Sequence, residues 1–202
     1  MTDPQQPSML LTLHAVRLLG FADTVSVAQR LRQDADDVEQ LLIGAGTQGW
    51  AVRSSFGGCR GWSLTVAGRT ENERLLAEEM NSAGGQAAVT GVLGDFGELN
   101  EQVVAACSRL QLEWLSVGHR PAPGINAPTL EAFAHALASL TGMEARLTAV
   151  LPRFGGYAKR LSRALESAAS DPAWLVATDR DSFHRIWFEL HEDLIATLGI
   201  QR

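Results

Sequence analysis

Most of this chain is patterned in steps of three and four residues, but between Trp50 and Val66 the pattern changes. The segments WAVRS and GWSLTV, rich in β-branched and aromatic residues, flank the stretch FGGCRG. Glycines supply the backbone freedom that a hairpin tip requires. One short two-stranded arm is therefore expected inside a mainly α-helical protein, and few small folds place an arm that way.

Three helices are expected ahead of the arm. Residues 9–19 read as a helix ending at Gly20. Ser26 and Gln29 have capping-box spacing, which places a short helix over 26–32. Asp34 and Asp37 repeat that spacing, and Val38, Leu41, Leu42 and Ala45 follow at i, i+3, i+4 and i+7, so a third helix packs by one face. Gly44, Gly46 and Gly49 are expected to loosen its end. After the arm, TENERLLAEEMNSA continues as a helix to Gly84 and Gly85, where a domain boundary separates 8–84 from 85–202.

The second part reads as helical throughout. Val92, Phe96, Leu99, Val103, Cys107, Leu110, Trp114 and Val117 form one stripe, with Gly91, Gly94 and Gly97 expected to kink its start. VGHRPAPGINAP is loop punctuation. A second stripe runs through Phe133, Leu137, Leu140, Leu147 and Leu151, broken at Glu144 and stopped by Pro152. Further helices are expected from Tyr157 to about Ala169 and from about Ser182 to Leu198. Two such stripes motivate a homodimer, although packing within one chain would bury them equally well.

The stretch from Val25 to Thr70, VSVAQRLRQDADDVEQLLIGAGTQGWAVRSSFGGCRGWSLTVAGRT, resembles the MarR-type winged helix-turn-helix transcription regulators. The likeness lies in the spacing of a short helix, an apolar-faced helix, the Gly49-Trp50-x-Val52 entry and the SLTVAGR exit. It implies an N-terminal winged helix-turn-helix domain with a two-stranded wing, followed by an all-α domain for dimerisation or effector sensing. The implied function is a dimeric, DNA-binding transcriptional regulator, with double-stranded DNA and a small-molecule effector as partners. Arg53 and Arg60 become wing cations, able to reach phosphates or a narrow minor groove, and Arg69 lies at the start of the next helix. The base-reading face of the third helix would comprise Asp36, Asp37, Gln40, Ile43, Gly44 and Thr47, with Gln40 and Thr47 as polar readers.

At that face the sequence departs from the family. The 20 residues between Arg32 and Arg53 hold no Arg or Lys and four acids, Asp34, Asp36, Asp37 and Glu39. As caps and dipole partners they stabilise the helix, yet they repel phosphates from the end that would attract them. Affinity must then come from Arg17, Arg30, Arg32, Arg53, Arg60 and Arg69. The whole chain carries 17 Lys and Arg against 23 Asp and Glu, so bulk charge attracts no polyanion. A winged helix that binds protein instead, as a non-enzymatic adaptor, is the alternative.

Other chemistry has little foothold. GxxxxGK[ST], HExxH and GxSxG do not occur, and the letters DFG at 95–97 lack every companion motif of a kinase. No catalytic residue, cofactor or metal is expected. Cys59 and Cys107 announce neither a disulfide framework nor a metal site. The apolar runs fall short of a membrane span and the start MTDPQQPSM has no leader pattern, so a cytoplasmic protein is expected.

In the last helix, His184 and His191 fall about 20° apart within an apolar sector that includes Phe183, Trp187 and Phe188. They are separated by roughly 10.5 Å along the axis, too far to share one ion. Bonded core histidines are one reading of them. The other is an effector pocket of Trp114, His184, Trp187 and His191. Glu189, Glu192 and Asp193 read as a solvated face.

Overall fold

The computed structural model describes residues 8–116 and 125–200, and the side chains of Phe56, Trp114, Leu115 and Ser116 lie outside that description. The described chain is mainly α-helical with one two-stranded antiparallel sheet. It forms two compact units. One runs to Glu79 and takes in the stretch from Gly199, and the other is Met80–Leu198. The division falls inside a helix, ahead of Gly84 and Gly85, because Met80 already packs in the second core.

In the first unit, α1 (Met9–Leu19) starts where Ser8 Oγ accepts the Leu11 N–H at 3.3 Å. α2 (Thr24–Leu31) begins earlier than the capping-box reading places it. Asp23, not Ser26, is the cap, and its carboxylate accepts the Ser26 N–H at 2.7 Å. That hydrogen bond holds Asp23 below the ordinary carboxylate range. α3 (Ala35–Thr47) is capped by Asp34, which accepts the Asp36 N–H at 2.8 Å. Its inner face buries Val38, Leu42 and Ala45 against Leu13, Val16, Val27 and Trp62. The helix continues through Gly44 and Gly46 instead of loosening there. Gly46 leaves room for Trp62, since a Cβ at that position would meet its ring at 3.4 Å.

β1 (Ala51–Phe56) and β2 (Cys59–Leu64) pair in register from Ala51 with Leu64 to Phe56 with Cys59. The turn is only Gly57 and Gly58, with φ of 58° and 83°, a combination that matches the twist of the strands. The tip is thus narrower than FGGCRG, and Cys59, Arg60 and Gly61 belong to a strand. Ala22 adds a bridge to β2, donating to Trp62 O at 3.1 Å and accepting its N–H at 2.8 Å. α4 (Val66–Ala83) follows, with Thr65 Oγ1 accepting the Gly68 N–H at 3.0 Å.

In the second unit, α5 (Gln86–Ser116) runs unbroken through Gly91, Gly94 and Gly97. The loop expected over 117–124 lies outside the described residues. α6 (Ala127–Thr148) is capped by Asn126, which accepts the Thr129 N–H at 3.0 Å. A 3-10 turn over Pro152–Phe154 leads to α7 (Tyr157–Ser167), a short α8 (Ala173–Val176) and α9 (Phe183–Thr197). The stripes of α5 and α6 meet in the unit's own core with Phe96, Cys107, Phe133, Leu140 and Trp187. Glu144, which interrupts the α6 stripe, accepts the Gly156 and Ala158 N–H groups at 2.7 and 2.6 Å and so caps α7 from a neighbouring helix.

The polar side of α9 differs from its expected solvated face. Glu189 and Asp193 are 2% and 1% exposed, whereas Phe188, assigned to the apolar sector, is 52% exposed. The cause is a set of partners from the preceding segment. Arg153 donates to Asp193 at 2.5 Å, Tyr157 OH donates to the same carboxylate at 2.8 Å, and Arg160 makes a two-pronged contact with Glu189 at 2.7 and 3.1 Å. Burial alone would lower the Arg160 pKa, but Asp181 and Glu189 hold it above its ordinary value.

Candidate nucleic-acid interface

The hairpin register decides which side chains can act together. Directly paired residues share a face, as do residues two apart along a strand. Arg53 opposes Trp62 and Ser55 opposes Arg60, so Arg53, Ser55, Arg60 and Trp62 share one face. Arg53, Ser54, Ser55 and Arg60 line a shallow depression of about 270 Å³. Two guanidinium groups and nearby hydroxyls are donors suited to phosphate oxygens.

The two arginines differ in their surroundings. Arg53 Nη1 donates to Glu39 Oε1 of α3 at 3.0 Å, and its guanidinium lies 5.3 Å from the Trp62 ring centroid. Arg60 is exposed and forms no ion pair among the described residues. Sequence reading missed this use of Glu39 because nothing in the order of residues pairs this early part of α3 with β1. Ser55 was also missed, and the strand alternation that puts it beside Arg60 is its only signal.

The other expected cations are spread over the unit. Arg30 is half-buried in α2, Arg32 is exposed at its C-cap with φ of 57°, and Arg69 is exposed in the first turn of α4. Arg17 is paired with Glu73 at 3.1 Å. On α3, Gln40 and Thr47 are exposed on the outer face, with the Thr47 hydroxyl donating to Ile43 O at 3.1 Å. Asp36 and Asp37 are exposed in its first turn. The geometry brings Arg53 and Arg60 together and leaves acids at the end of α3.

The residues assigned to an effector pocket lie in the second unit. Trp187 is buried at 1% exposure, stacked on Phe96 with ring centroids 4.6 Å apart, and its indole N–H donates to Asn100 at 3.1 Å. His191 stacks on the other partner of that contact, 5.3 Å from the Phe96 ring. His184 is half-buried. Trp114 falls within α5, but its side chain lies outside the described residues.

Burial holds His184 below its ordinary value of 6.5. The folded state thus resists charging this ring, whereas the unfolded chain accepts the proton, so stability falls as pH drops below 6.5 toward the depressed folded value. His184→Gln is expected to flatten that part of the acid decline in Tm, read by thermal unfolding at stepped pH. An unchanged slope would show that other groups carry it.

Among the described residues, no group of three or more His, Cys, Asp or Glu is placed to hold a metal ion, and no helix is long and apolar enough to cross a membrane. Cys107 is buried, which pushes its thiol up to about 12, whereas Cys59 is exposed at the start of β2. Comparison of the chain with protein-family models, curated proteins and solved structures finds no match in any of the three.

Proposed function

We propose that the N-terminal unit is a winged helix-turn-helix of MarR-like type that binds double-stranded DNA, and that the protein is a homodimeric transcriptional regulator. The order α1, α2, α3, β1, β2 and the Ala22 bridge onto β2 support the architecture. The observation that carries the DNA reading is the placing of Arg53 and Arg60 on one hairpin face beside Ser55. Arg30, Arg32 and Arg69 supply further phosphate contacts, and Gln40 and Thr47 face the bases.

The second unit is assigned dimerisation or effector sensing. The described part of its two long stripes packs in its own core, so the case for a dimer moves to the exposed Val104, Leu112, Leu130 and Phe188. A small-molecule effector would enter beside the half-buried His184, because Trp187 and His191 already pack on Phe96.

Arg60→Ala is the direct test. It is expected to weaken binding to a labelled duplex and to lower the steepness of log K against log salt by about 0.9, the loss of one phosphate contact. Wild-type affinity and slope in that variant would end the DNA reading.

A second reading has its own observation. Asp34, Asp36 and Asp37 are exposed at the start of α3 and Glu39 neutralises Arg53, a surface that fits a basic protein partner better than a polyanion. The protein would then be a non-enzymatic adaptor. Failure to bind any duplex even at low salt favours it.

A further inference from the structure

Glu39 lies early in α3, and its two carboxylate oxygens serve two different elements. Oε2 accepts the hydroxyl of Thr24, the first residue of α2, and Oε1 accepts Arg53 Nη1 from β1 at 3.0 Å. The Arg53 guanidinium is also set against the Trp62 ring. Arg60, on the same face of the hairpin, has no ion pair among the described residues. One wing cation is therefore neutralised from within and the other is open.

We infer that Glu39 sets the affinity of the wing for phosphate, by holding Arg53 in an internal ion pair that a phosphate group must displace. The inference rests on the DNA reading and deepens it. Contact through Arg53 becomes an exchange of one anion for another. The Glu39–Arg53 pair as a whole carries no net charge, so the duplex gives up little of its ion atmosphere to it. Arg53 then adds little to the net ion release on binding.

Removing the charge at position 39 lifts that cancellation. Glu39→Gln is expected to bind a duplex about fivefold more tightly, the upper worth of an exposed ion pair expressed as a ratio. Its log K should also depend more steeply on log salt, by about 0.9, as one uncompensated phosphate contact is gained. Both gains require Arg53.

The test titrates a fluorescein-labelled duplex of mixed sequence with the full chain across a salt series. The forms are wild type, Glu39→Gln, Arg53→Ala, the double variant and Arg60→Ala, each first shown to be folded by circular dichroism. Support is a tighter and steeper Glu39→Gln whose gains vanish in the double variant, with Arg53→Ala close to wild type. Glu39→Ala repeats the measurement without an amide that can keep hold of Arg53 and Thr24. Thr24→Ala removes the other partner and leaves the charge, so its slope should stay at the wild-type value. A slope change in Thr24→Ala equal to that of Glu39→Gln would overturn the inference, because loss of a structural contact would then explain both. It is equally overturned if Glu39→Gln and Glu39→Ala match wild type while Arg60→Ala weakens binding, an outcome that leaves the DNA reading standing. If no form binds the duplex, the DNA reading falls and takes the inference with it.

Discussion

Asp193→Ala is expected to destabilise the second unit by about 3 to 5 kcal/mol, the cost of removing one member of a buried ion pair. Asp193 and Arg153 have side chains only 2% and 5% exposed, and the pair is 2.5 Å apart. Tyr157 OH and the Thr197 hydroxyl also donate to this carboxylate, at 2.8 and 3.2 Å, and Arg153 reaches Thr197 at 2.6 Å. Alanine removes the acceptor for three donors at once and takes the carboxylate away from the buried Arg153 guanidinium. The measurement is urea unfolding followed by far-ultraviolet circular dichroism. Asp193→Asn keeps the shape and part of the hydrogen bonding, so it should lose less. The double variant Arg153→Met, Asp193→Leu should recover much of the loss, because paired apolar groups avoid desolvating either charge. A loss below about 1 kcal/mol in Asp193→Ala would mean that water reaches Arg153 and that the site is not buried as described.

Gly68→Ala is the second large effect, and it falls on the first unit. A Cβ at Gly68 would lie 1.8 Å from Trp50 O and 2.7 Å from Trp50 C, both backbone atoms that no rotamer can move aside. The start of α4 sits this close to the entry of β1 because Thr65 ties the two together. Its N–H donates to Trp50 O at 3.0 Å and its hydroxyl donates to Gly49 O at 2.6 Å. Relief of the clash must open that junction, so the cost is expected at or above the upper end of the overpacking range, about 3 kcal/mol. Gly91→Ala is the matched control. Nothing lies within 4 Å of a Cβ there, and alanine within α5 should stabilise by roughly 0.5 to 1 kcal/mol. If Gly68→Ala unfolds with the Tm of the wild type, the close approach of α4 to Trp50 is wrong.

The local elements were largely readable along the chain. The apolar spacing of Val38, Leu42 and Ala45 identified the buried face of α3, and the glycines at 57 and 58 identified the turn of the hairpin. Errors gathered at helix starts, where a choice between neighbouring caps depends on which side chain reaches an N–H. Asp23 displaced Ser26 in that role. α8 went unseen because four residues hold too little periodicity to register. Of the candidate interface, Arg53 and Arg60 were identifiable as hairpin cations, but their different surroundings were not.

The sequence by itself determined a helical protein with one glycine-tipped arm, two arginines on that arm and an acidic start to the helix before it. Each follows from interactions among residues close along the chain, whose geometry is set by helical or strand period. Tertiary structure alone decided which charges meet. Glu39 reaches Arg53 across 14 positions, and Asp193 reaches Arg153 across 40. Charge pairing depends on distance in space and on exclusion of water, and neither is encoded in the spacing of letters. The same acidic residue type therefore serves as an exposed cap at Asp34 and a buried counter-ion at Asp193.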